Sequence, residues 1–82
     1  IMATETVANN HADLYSIFMP QIGYTVRLTI CSEDDTIIDI AYEGVIRYVY
    51  PHSLLINTDI TKPRNYTRVS YDYITSVLFI NN

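Results

Sequence analysis

The stretch Ile40 to Tyr50 constrains this chain more than any other. It is dense in Val, Ile and Tyr, which favour extended backbone, and Gly44 is its only interruption. A strand of that length inside an 82-residue chain must bend sharply. An internal glycine marks where it can do so.

The rest of the chain agrees with a small β domain. Tyr24 to Cys31 alternates, with Val26, Leu28 and Ile30 on one face and Thr25, Arg27 and Thr29 on the other. Ser32 to Asp39, with Glu33, Asp34 and Asp35, predicts a turn running into the next strand. Pro51-His52-Ser53 predicts a second turn, Leu54 to Thr58 a third strand, and Lys62-Pro63-Arg64-Asn65 a loop. Tyr66 to Tyr71 and Ile74 to Ile80 follow as strands joined tightly at Asp72-Tyr73. Ahead of them, Leu14, Ile17 and Phe18 share one face of a short helix from His11 to Met19. Asn10 is its N-cap, Asp13 lies in its first turn and Pro20 ends it. The expectation is all-β: an N-terminal helix, then a five-stranded, strongly bent antiparallel sheet or open barrel. Residues 1–10 are polar and expected to be loose, and 11–82 form the domain.

Composition narrows the function. Hydrophobic residues make up 49% of the chain, with three prolines and two glycines, so it can pack a core. One thin core without a disulfide framework is often reinforced by oligomerisation. Cys31 has no partner cysteine, which favours a reducing compartment, cytoplasmic and/or nuclear. No apolar run could cross a bilayer. The start lacks the basic and apolar segments of a signal peptide, and Ile1 reads as an addition before a natural Met2. Net charge is −4, with only Arg27, Arg47, Lys62, Arg64 and Arg68 basic. Autonomous phosphate binding usually needs a basic face, so contact with RNA is expected to be indirect.

Chemistry-bearing patterns are sparse. No nucleophile–base arrangement and no glycine-rich phosphate loop is recognisable, so the chain is read as non-catalytic, without cofactor or small-molecule substrate. Glu33-Asp34-Asp35 lacks the spacing of a calcium loop. His11 and His52 are isolated in sequence, so no metal site is expected. The eight tyrosines could stack on bases, with Tyr48, Tyr50 and Tyr71 the ones to test. The blander reading is that tyrosine is a good strand former with a polar tip. Lys62, Arg64 and Arg68 read as a solvated loop, and Asn65-Tyr66-Thr67 matches a glycosylation acceptor only formally.

The element order resembles the Sm and Sm-like superfamily: an N-terminal helix, five bent strands, and a short turn between the last two. Gln21 to Leu28 resembles the helix exit, where a glycine (Gly23) precedes the first strand. Ala41-Tyr42-Glu43-Gly44-Val45-Ile46 resembles the aromatic-x-Gly-x-aliphatic core of the first Sm motif, with Tyr42, Gly44 and Ile46 in its structural positions. Ile74 to Ile80 resembles the closing strand. Uridine-binding Sm proteins carry Asp six positions past the glycine and Asn four further on, where this chain has Tyr50 and Leu54; Asn57 comes three residues late. The Arg-Gly pair of the second motif falls on Ser70 and Tyr71, or on Tyr73 and Ile74. The resemblance therefore implies the fold without the RNA pocket.

Two branches of the family share such departures. One is the Gemin-type proteins of the SMN complex, which help assemble ribonucleoprotein cores. The other is the decapping-associated Lsm domains, which dock peptide motifs in mRNA decay. The absent pocket and the helix running directly into the first strand favour the first. The resemblance further implies pairing with another Sm-like chain, as a hetero-oligomer, through the fourth and fifth strands. The interface residues would be Tyr66, Arg68, Ser70, Val77, Leu78, Phe79 and Ile80, although alternation sends Val77 and Phe79 toward the core.

Overall fold

A computed structural model describes residues 10–31 and 40–80. The expected loose segment up to residue 9 and the acidic turn Glu33-Asp34-Asp35 lie outside the described residues. The fold is mostly β, one N-terminal helix followed by a five-stranded antiparallel open sheet.

Helix α1 spans His11–Phe18, one residue shorter than its pattern predicts. Asn10 caps it, its side-chain oxygen accepting from the Asp13 N–H at 3.2 Å. A 3₁₀ turn over Met19–Gln21 takes Pro20 in its first positions, where a missing N–H costs nothing. Gly23 then adopts φ +94, a left-handed conformation that a side chain would strain. The Gly23 N–H donates to the Ile46 carbonyl at 2.8 Å, and the Ile46 N–H to the Tyr24 carbonyl at 3.0 Å. These two bonds carry the chain from the helix onto the sheet.

The strands are β1 Thr25–Ile30, β2 Ile40–Val49, β3 Ser53–Asn57, β4 Thr67–Ser70 and β5 Ile74–Ile80, in the order β4-β3-β2-β1-β5. Each expected strand is present. β1 and β4 are trimmed at both ends, β2 loses Tyr50, and β3 is displaced by one residue. The tight connection before β5 is a 3₁₀ turn over Tyr71–Tyr73. It takes Tyr71 out of the fourth strand.

The core lies on one face of the sheet, where alternation directs Val26, Leu28, Ile46, Leu54, Ile56, Val69 and Val77 inward, all fully or almost fully buried. Leu14 and Phe18 of α1 close it and are fully buried too. Burying each of these contributes on the order of 2–3 kcal/mol. The Phe18 ring lies 5.7 Å from Tyr71 and 6.0 Å from Phe79. Gly44 pairs with Val26 in β1, and a Cβ built on it would stand 2.4 Å from the Asn57 carbonyl oxygen. The β3 backbone lies that close to Gly44, which is why this position excludes any side chain.

Candidate strand-pairing interface

Strands β4 and β5 end the sheet. β4 pairs only with β3 and β5 only with β1, so each leaves one row of backbone N–H and C=O groups free among the described residues.

On β5, Val77 sits opposite Leu28 and is fully buried, while Phe79 sits opposite Val26 and packs against the core. Both can therefore offer a partner mainly their backbone. Leu78 is opposite Arg27 and Ile80 opposite Thr25, on the outer face. There Arg27 forms a cross-strand ion pair with Glu43 at 2.9 Å. The pair is half exposed, worth about 0.2–1 kcal/mol.

On β4, Val69 points inward opposite Leu54, and Arg68 and Ser70 point outward opposite Leu55 and Ser53. Tyr66 lies just before the strand rather than in it, exposed, its ring perpendicular to that of Tyr48 at 5.6 Å. Arg68 is held in place: its Nη1 donates to Ser53 Oγ at 2.7 Å, and its guanidinium lies 5.3 Å from the Tyr50 ring centre.

The four positions that the Sm resemblance aligns with an RNA pocket scatter between core and surface. Leu54 and Tyr71 are fully buried. Tyr71, considered above as a stacking ring, is unavailable for that role. Its hydroxyl donates to the Tyr50 carbonyl at 2.6 Å, and burial, with the neighbouring Tyr15, pushes its pKa up to about 12. Ser70 accepts from the Asp72 N–H at 3.3 Å. Tyr50 closes the β2–β3 turn, its N–H donating to the Ser53 carbonyl at 2.8 Å.

Asn57 is also spoken for. It is the buried polar residue among the described residues, at 1% exposure. Its Nδ2 donates to the Lys62 carbonyl and its Oδ1 accepts from the Asp59 N–H, both at 3.0 Å. The amide thus pins the β3–β4 loop. Asp59 is turned into the same loop by the Thr61 hydroxyl at 2.6 Å and N–H at 3.0 Å, which hold its carboxyl below the usual range. Tyr42 is half buried against the core and Ile46 fully buried, with Gly23 at the helix exit and Gly44 tight against the β3 backbone.

Sequence spacing missed one cluster. His11 and His52 are not isolated in space. His11 Nε2 lies 2.7 Å from Asp72 Oδ1, and its Nδ1 lies 2.8 Å from His52 Nδ1. A neutral His11 donating to the carboxylate accepts from the His52 N–H. The relay ties α1 to the β2–β3 turn and to the turn before β5. Separations of 41 and 61 residues left no local signal. Among the described residues, no group of three or more His, Cys, Asp or Glu side chains is placed to hold a metal ion. Nor is any helix long and apolar enough to cross a membrane.

Comparison with protein-family models, with curated proteins and with solved structures returns no match.

Proposed function

We propose that this chain is a non-catalytic Sm-like scaffold subunit of a ribonucleoprotein-assembly complex of the SMN/Gemin type, cytoplasmic and/or nuclear, joined edge to edge with another Sm-like chain. The observation that carries the reading is the strand order β4-β3-β2-β1-β5, with a capping helix before β1 and Gly44 lying tight against the Asn57 carbonyl of β3. In that order both ends of the sheet are open to strand addition, in which backbone bonds supply affinity and alternate side chains supply selectivity.

The partner is a different chain on physical grounds. In a self-assembled array β4 of one copy would meet β5 of the next, and β5 carries no charge to answer Arg68. A partner strand with a carboxylate facing Arg68 answers it. RNA contact through the family's pocket is not part of this reading, because Tyr50, Leu54, Ser70 and Tyr71 supply neither the carboxylate nor the guanidinium.

Light scattering of the chain, alone and with Sm-like partner chains, tests the proposal. Hydrogen exchange should show protection of Thr67–Ser70 or Ile74–Ile80 when a partner is added. A monomer at high concentration that no Sm-like chain shifts would overturn it. If that monomer captured short linear peptides, the mRNA-decay reading would take its place.

A further inference from the structure

We infer that His11, His52 and Asp72 form a proton-operated latch, which holds the first turn of α1 to the sheet at neutral pH and releases it in mildly acidic solution. The inference is independent of the scaffold reading.

The Nδ1 atoms of His11 and His52 lie 2.8 Å apart, so a single proton sits between them. The far side of His11 fixes the arrangement at neutral pH. Its Nε2 lies 2.7 Å from Asp72 Oδ1 and carries the proton donated to that carboxylate. Its Nδ1 is then the acceptor, and His52 is held as the Nδ1–H tautomer. One added proton fits without movement. It settles on His11, whose imidazolium faces Asp72, while His52 passes to the Nε2–H tautomer and accepts in its turn. A second added proton has no place. Both rings would then aim N–H at N–H, with two positive charges on rings whose centres are 5.1 Å apart.

Nothing around the pair relieves that conflict. Among the described residues Asp72 is the carboxylate at ion-pairing distance from His11, and it is already used on the first proton. Tyr71, from the same turn, presents its ring edge-on to His11 at 5.6 Å, and with its pKa raised to about 12 it brings no negative charge in acid. Arg68 of β4 reaches the His52 turn as a further cation, bonded to Ser53 Oγ and lying over the Tyr50 ring. On α1 itself, Asp13 is two residues on and so does not share the face of His11. Tyr15 does share it, and packs against the core. His11 is the first residue of the helix, where the dipole also disfavours a cation.

The open form therefore binds one proton more than the closed form. Closure is favoured at neutral pH and is lost as pH falls through the range where imidazoles titrate, about 5 to 8. The release is confined to one end of the helix, because the fully buried Leu14 and Phe18 keep the rest on the core. A metal ion fits the pair less well than a proton. Two nitrogens on a tetrahedral zinc stand about 3.3 Å apart at a Zn–N distance of about 2.0–2.1 Å. Asp72, moreover, takes the other nitrogen of His11 instead of converging with the two Nδ1 atoms.

Nitrogen-15 NMR of the imidazoles and backbone hydrogen exchange, both on the full chain, test the latch. At pH ~8 His52 should be the Nδ1–H tautomer, the minority form of a free neutral imidazole. Between pH ~7 and ~5, protection of the Asp13, Leu14 and Tyr15 amides, corrected for intrinsic rate, should fall on the order of tenfold, since one extra proton shifts the equilibrium up to about tenfold per pH unit. Protection in β1 and β2 should hardly change. His52→Asn supplies an uncharged amide that can donate or accept, and should flatten the fall to about twofold or less. Asp72→Asn removes the anion that favours the first proton, and should move the release to higher pH. A circular-dichroism melt verifies that both variants fold. His52 found as the Nε2–H tautomer at pH ~8, or an acid loss of protection that His52→Asn leaves unchanged, overturns the inference. So do shifts of both imidazole signals on adding equimolar zinc chloride at neutral pH, which mark a metal site.

Discussion

The two open edges of the sheet are built differently. β5 runs seven residues from Ile74 to Ile80 and carries no charge. β4 has four residues, Arg68 among them, and is bordered by Tyr66 and by the loop that Asn57 pins. Short edges bearing charge are the usual guard against unwanted pairing. β4 has both guards and β5 has neither. In an edge-to-edge assembly β5 would therefore be the rail that needs covering, since it offers a longer row of backbone groups beside outward Leu78 and Ile80. β4 would be the selective edge, where a partner must satisfy a fixed guanidinium.

The largest expected effect comes at Gly44, where β2 lies tight against the β3 backbone. Gly44→Ala forces a methyl against the Asn57 carbonyl and should cost about 3 kcal/mol, read as a fall in the urea midpoint. An unchanged midpoint would mean that this β2–β3 contact tolerates a side chain. Next comes alkaline pH, acting where Tyr71 ties the start of β5 to the β2–β3 turn. Folding raises its pKa from about 10 to about 12. The protonated ring thus contributes stability that is complete below pH ~10 and lost as pH rises through ~12, roughly 2–3 kcal/mol. Ultraviolet titration should show one late tyrosine, absent in Tyr71→Phe.

Asn57→Ala separates the edges. It releases the loop before β4 and leaves the Asp59 N–H and the Lys62 carbonyl without their partner, for about 1–2 kcal/mol. Hydrogen exchange should quicken in β4 and hardly change in β5. Equal loosening of both would erase the distinction drawn above. The smallest effect on the monomer, under about 0.5 kcal/mol, belongs to Leu78→Lys, which gives β5 the guard it lacks. Its visible consequence should be weaker association with an Sm-like partner, and association left untouched would move the contact to β4.

Much of this architecture can be read from residue order. Alternation in Tyr24–Cys31 and the interrupted run around Gly44 locate β1 and β2 to within a residue. The candidate interface is less legible, because alternation alone does not reveal a bulge. The shift after Ile46 turns Tyr48 outward and Val49 inward, and no glycine or proline announces it. The 3₁₀ turn at Tyr71–Tyr73 likewise takes Tyr71 from an apparent strand end into the core. The His11, His52 and Asp72 relay was invisible for another reason, since its members come from three elements far apart in the chain.

Local chemistry, then, determined the elements. Period-two patterning, the Asn10 cap, Pro20, Gly23 at the helix exit and Gly44 within β2 act over a few residues, and each carries its own signal. Tertiary structure alone decided which strands became edges, which tyrosines faced solvent, and which polar groups found partners. Those outcomes depend on register and on contacts between distant segments. A one-residue shift in pairing exchanges the two faces of a strand, and composition does not encode it.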